Sequence, residues 1–151
     1  MNVTREEIMQ LTGRELDAAV AERVMRWKRG DPKYGDMPWY PPGTGRYLGG
    51  GRMNLPKFST DIAAAMEAVE AEVKHRPDEE FVLVRLRDGR WLAGWFDGYL
   101  DAETGIIDGH VGGGYAGHDG AMAVDDNPAT AVSRAALLAM LGRKGSGGVE
   151  A

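Results

Sequence analysis

Residues 81–96 read FVLVRLRDGRWLAGWF, and this stretch decides the fold. Two runs of β-branched, aromatic and aliphatic residues flank Asp88–Gly89, a strong short hairpin signal because glycine takes the left-handed backbone that a tight turn needs. Side chains alternate along a strand. Phe81 and Leu83 therefore share one face of 81–87, with Val82, Val84 and Leu86 opposite. On 90–96, Trp91, Ala93 and Trp95 share one face, with Leu92 and Phe96 opposite. Both faces are apolar over much of their length, and such a sheet requires cover on both sides. Downstream, GAMAV (120–124) reads as an edge strand, and a further short strand is expected within 99–111, turning at 101–105.

Helices flank the hairpin on either side in sequence. Upstream, Ser59-Thr60-Asp61 supplies side chains that cap a helix N-terminus, and the apolar spacing of Ile62, Met66, Val69 and Val73 gives one stripe, stopped by Pro77. Downstream, Asn127 is suited to the N-cap and Pro128 to the first helical position, which predicts a helix over 129–141 ended by Gly142. At the start of the chain, Thr4-Arg5-Glu6-Glu7 and Thr12-Gly13-Arg14-Glu15 are two capping boxes, predicting helices over 4–11 and 13–28. The second carries Leu16, Val20, Val24 and Trp27 on one stripe. The expected class is α+β: a three-layer α-β-α sandwich, a small antiparallel sheet covered by helices on both faces. A single domain over 1–141 contains a long Gly/Pro loop at 29–58, and 142–151 reads as a flexible tail.

Composition narrows the function classes. With 151 residues and 43% hydrophobic content the chain can bury a core as one domain. Its net charge of −5 argues against general DNA or RNA binding, which needs a surplus of Lys and Arg to displace counterions. The absence of cysteine excludes disulfides, thiolate metal sites and a cysteine nucleophile. No apolar run of membrane-spanning length and no signal pattern is present, so a cytoplasmic protein is expected. The 22 glycines cluster at 43–51, 109–120 and 142–148 and mark loops.

Three stretches, TGRELDAAVAERVMRWK (12–28), FSTDIAAAMEAVE (58–70) and PATAVSRAALLAML (128–141), together resemble the phage ABA-sandwich domain, a family found mainly in bacteriophages and prophages. They cover about a third of the chain, in the family's order. The resemblance implies helices sandwiching a sheet, and a host bacterial cytoplasm as the setting. It implies no catalytic residues and no cofactor. The chain departs from the family at Ser133, where the pattern often has a cysteine, and in the glycine-rich 97–125.

The candidate residues are few. YPPGTGRYLGGGRMN (40–54) combines backbone N–H groups at Gly49, Gly50 and Gly51 with Arg46 and Arg52, a set suited to a phosphorylated or nucleotide-like small molecule. Lys57 adds charge beside a helix start, and Trp39, Tyr40 and Tyr47 offer stacking surfaces. The same segment also reads as a linker, because no Walker pattern is present. Alternatively it is an adaptor surface, for a protein partner or for self-assembly into a homo-oligomer. Arg134 shares a helix face with Leu137, Leu138 and Leu141 and needs a partner; Asp61 is the expected one, as a structural ion pair. The alternative is an anion site at the same place. His110, His118 and Asp119, with Asp108 and Asp125, have metal-ligand chemistry but no diagnostic spacing; a metal-dependent hydrolase using the first three ranks last, and ordinary loop residues are the default. No metal, cofactor or catalytic group is assigned.

Overall fold

The computed structural model describes residues 3–30, 39–42, 54–96 and 121–147. Its elements are α1 (Arg5–Gln10), α2 (Gly13–Ala19) continued by a π-helical turn (Val20–Val24), β1 (Lys28–Arg29), β2 (Trp39–Tyr40), α3 (Ile62–Val73), β3 (Glu80–Arg85), β4 (Trp91–Phe96), β5 (Met122–Asp125) and α4 (Pro128–Gly147). The fold is α+β, with four helices and two small antiparallel sheets, β1–β2 and β3–β4–β5, among the described residues.

The 81–96 stretch forms the expected hairpin, registered Phe81 opposite Trp95 and Leu83 opposite Ala93. Its turn is one residue longer than a two-residue Asp-Gly turn. The Leu86 N–H donates to Arg90 O at 2.8 Å, the Gly89 N–H donates to Leu86 O at 3.0 Å, and Gly89 has φ 92°. A three-residue loop with glycine in the left-handed position results. β5 joins β4 as the predicted edge strand, with Ala93 opposite Ala123.

Alternation gives the sheet two different faces. Phe81, Leu83, Trp91, Ala93, Trp95 and Ala123 belong to the core, where Phe81 and Trp95 meet edge-on with ring centroids 5.2 Å apart. On the other face Val82, Val84, Leu92 and Val124 are half-buried. At the β4–β5 pair on that side, Gly94 is irreplaceable by shape, since a Cβ there would lie 2.4 Å from Met122 Cγ.

α4 is the hub. Every residue from 131 to 140 is buried, and α4 packs against β4 and β5 as well as α1, α2, the π-helical turn and α3. Helical cover on both faces of one sheet is not what the described residues display: α4 is the helix laid on β4 and β5, and the other helices gather on α4. Its alanines explain the close approach. α3 turns Ala65, Ala68 and Val69 inward with Glu72, and leaves Ile62 and Val73 40% and 41% exposed. The predicted stripe of Ile62, Met66, Val69 and Val73 is thus rotated toward the small residues, which let two helices pack tightly.

Other boundaries shifted for local reasons. Thr4 and Glu7 form the first capping box reciprocally, at 2.8 and 3.1 Å. Thr12 makes no side-chain cap, and Gly13, the first residue of α2, has φ 53°. The helix predicted to reach residue 28 ends instead at the π-helical turn. There Arg26 sits at φ 63° and the Trp27 N–H reaches back to Ala21 O at 2.8 Å, closing the helix in the manner usually given to glycine. Lys28 and Arg29 then pair with Tyr40 and Trp39, a ribbon within the stretch expected to be loop. Asp61 caps α3 at Ala63, and Asn127 caps α4 at Ala129, both as predicted. α4 passes Gly142 and continues to Gly147, so glycine there weakens the helix without stopping it. The 99–111 strand lies outside the described residues.

Candidate functional site

Two polar assemblies flank α4. The first forms where α2, the 55–59 segment and α4 meet. Asp17 is only 1% exposed. Its Oδ2 accepts from Arg14 Nη1 at 2.8 Å and its Oδ1 accepts from the Ser59 N–H at 2.7 Å. Arg14 Nη2 donates onward to Leu55 O at 2.9 Å. From the α4 side, Thr130 Oγ1 donates to Ser59 O at 2.8 Å and Ser133 Oγ donates to Phe58 O at 2.7 Å. The segment lacks regular structure, so its backbone groups take these side chains as partners, as buried peptide groups must. Asp17 and Ser133 are both engaged in holding backbone.

The second assembly joins the end of α3 to α4. Arg76 Nη2 donates to Ala139 O at 2.8 Å, Nη1 pairs with Glu79, and Nε lies 3.8 Å from Glu72 Oε2. The guanidinium also sits over the Trp95 ring, 5.8 Å from its centroid. Two carboxylates and an aromatic face around one buried cation make a compact structural tie.

Arg134 is paired as its place among leucines requires, but with a different partner. Its Nη1 donates to Asp125 Oδ1 at 3.0 Å and its Nη2 to Leu11 O at 2.9 Å. The expected Asp61–Arg134 pair is not formed. Asp61 is exposed and its carboxylate accepts from the Ala63 N–H at 3.0 Å, capping α3. Asp125 is better placed because β5 ends directly before α4, and its other oxygen accepts from the Asn127 N–H at 2.9 Å.

Of the residues proposed for a ligand, three are described. Trp39 is 2% exposed, a core residue with Arg29 lying 4.7 Å over its ring, so its faces are taken. Tyr40 is half-buried, opposite Lys28. Lys57 is exposed, and its backbone oxygen accepts from the Thr60 and Asp61 N–H groups at 3.1 and 2.7 Å. Arg46, Tyr47, Gly49, Gly50, Gly51 and Arg52 lie outside the described residues, as do His110, His118, Asp119 and Asp108. Among the described residues no group of three or more His, Cys, Asp or Glu could hold a metal ion.

Sequence reasoning missed Asp17 and Glu72, and both left a signal. Asp17 stands three, four and seven residues before Val20, Ala21 and Val24, on the buried helical face. Glu72 stands three, four and seven after Val69, Ala68 and Ala65. A carboxylate inside an apolar stripe marks a buried partner, and here each has one.

A further set of exposed cations lies on the β1–β2 ribbon and the turn that leads into it. Arg26, Lys28 and Arg29 are all exposed, and Trp39 holds the Arg29 guanidinium from below. No helix among the described residues is long and apolar enough to cross a membrane. Comparison of the chain with protein-family models, with curated proteins and with solved structures returns no match.

Proposed function

We propose that the chain is a small non-enzymatic phage accessory protein that captures a phosphorylated or nucleotide-like molecule with its 40–57 segment, blunting a host-defence signal in the bacterial cytoplasm. The observation that carries this reading is the anchoring of the segment at both ends. At one end Trp39 is buried beneath Arg29; at the other, Leu55 and Phe58 are buried, their carbonyls held by Arg14 and Ser133. Between these anchors the chain carries Arg46, Arg52 and the 49–51 glycines. Fixed flanks preorganise the ends of the segment for binding.

The phage assignment rests on the three stretches that resemble the ABA-sandwich domain. The sandwich itself belongs to the same proposal: Val82, Val84, Leu92 and Val124 are half-buried on the face of the sheet opposite the core residues, which supports a further layer there. Calorimetry against a panel of nucleotides and cyclic nucleotides tests the function. Binding that falls at least tenfold in Arg46→Ala/Arg52→Ala supports it, and unchanged binding in that variant removes the segment from the site.

One observation favours a second reading, a self-assembling or adaptor module. Ile62 and Val73 are exposed large apolar side chains at the two ends of α3. Light scattering that finds a lone monomer at all accessible concentrations, with no partner recovered from infected cells, counts against this reading.

A further inference from the structure

The β1–β2 ribbon carries a local charge opposite to that of the whole chain. The protein has 23 acidic and 18 basic residues, so carboxylates are in surplus. Yet among the described residues no ion pair reaches Arg26, Lys28 or Arg29. Lys28 and Arg29 are neighbours on one short strand, with Cα atoms held about 3.8 Å apart by the peptide. Arg26 stands two residues earlier, in a left-handed conformation that costs a non-glycine residue about 1 kcal/mol. Glu22, one turn back on the helix, is exposed and pairs with none of the three.

The placement of these cations is not that of a solvated helix face. β1 is tied to β2 through Lys28 opposite Tyr40 and Arg29 opposite Trp39. Stacking on buried Trp39, 4.7 Å from the ring centroid, orients the Arg29 guanidinium while its residue stays exposed. A stacked arginine loses little further freedom when it forms two parallel hydrogen bonds to phosphate. Lys28, alternating to the other side of the strand beside half-buried Tyr40, adds a point charge next to an aromatic ring. Each side of the strand thus presents one exposed cation to an anion, and one phosphate cannot serve both sides.

We propose that the β1–β2 ribbon, through Arg26, Lys28 and Arg29, binds a ligand bearing two or more phosphates. This rests on the phosphate-ligand reading of the neighbouring 40–57 segment and specifies its ligand class. The net charge of −5 repels long polyanions, so the ligand is short.

Titration calorimetry of the full chain with inorganic phosphate, pyrophosphate, tripolyphosphate and a 5′-phosphorylated dinucleotide tests the inference at low and moderate salt. The expected result is affinity that rises with phosphate number and falls with salt. In Lys28→Gln/Arg29→Gln the affinity for tripolyphosphate and the dinucleotide drops about tenfold per cation removed, and the salt dependence flattens. Arg29→Lys keeps the charge but loses the stacked fork and its two parallel hydrogen bonds, so its affinity falls between that of the native chain and the double variant, which separates charge from geometry on Trp39. Equal affinity for all four compounds overturns the inference, as does undiminished binding in the double variant. If binding persists in that variant but is lost in Arg46→Ala/Arg52→Ala, the 40–57 reading stands and the ribbon inference falls. If the native chain binds none of these compounds or the nucleotide panel, both fall.

Discussion

The polar lock around Asp17 and the basic ribbon at 26–29 treat charge in opposite ways. In the lock, a carboxylate removed from water meets a guanidinium, a backbone N–H and, through its neighbours, two hydroxyls from α4. On the ribbon, exposed cations meet no carboxylate among the described residues. The first arrangement is required by desolvation, since an unpaired buried charge is strongly destabilising. The second is tolerated because water solvates it. Buried polar groups here report on how the chain is held together, and exposed unpaired ones report on what it can meet.

That division can be broken by stability measurements. Asp17→Ala strands the buried Ser59 N–H and removes two charge-assisted bonds, an expected loss of about 3 kcal/mol in chemical denaturation. Asp17→Asn, which keeps an acceptor, loses less. Gly94→Ala forces the Met122 side chain aside and crowds Ala121 O, 3.1 Å from the new Cβ, at a cost of about 2 kcal/mol. Arg26→Gly has the opposite sign. It relieves a left-handed arginine and is expected to gain up to about 1 kcal/mol while weakening phosphate binding. Loss of stability in that variant would falsify the view that Arg26 is retained for its charge.

The smallest effect concerns the hairpin turn. The Asp88 carboxyl accepts from the Arg90 N–H at 3.0 Å, and this bond, then the Arg90 guanidinium, holds its pKa below the ordinary 3.8. A lowered folded-state value means the contribution to stability is present above pH 3.8 and fades as pH falls through the folded value. Asp88 is exposed, so the effect is slight, and an NMR titration of its carboxyl carbon is the direct check. A midpoint at or above the ordinary value sinks this account of the turn.

Much of the fold was legible because its signals are local. The hairpin, the Thr4 box, the Asp61 and Asn127 caps and the edge strand each depend on residues a few positions apart. What was illegible depends on distance. The inward face of α3 is set by alanines on α4, some seventy residues away, which outweigh the larger apolar stripe on α3 itself. Arg134 was recognisable as a residue that needs a partner, but choosing Asp125 over Asp61 requires knowing that β5 delivers its last residue beside α4. The proposed ligand residues divided in the same manner. Trp39 looked like a stacking surface and is instead a core residue supporting Arg29, a role visible only once β1 and β2 pair.

The hub position of α4 has a consequence for the order of events during synthesis. Arg134 closes on Leu11 across 123 residues of sequence, Ser133 on Phe58 across 75 and Thr130 on Ser59 across 71. As the chain emerges from a ribosome, α1, α2 and α3 appear before the helix on which they all pack. The Asp17–Ser59 and Arg14–Leu55 bonds can form before then, but the contacts to α4 wait until it clears the exit. A topology so dependent on late, long-range closure folds slowly for its size, and its earlier segments are the ones exposed to proteases and chaperones in the interval.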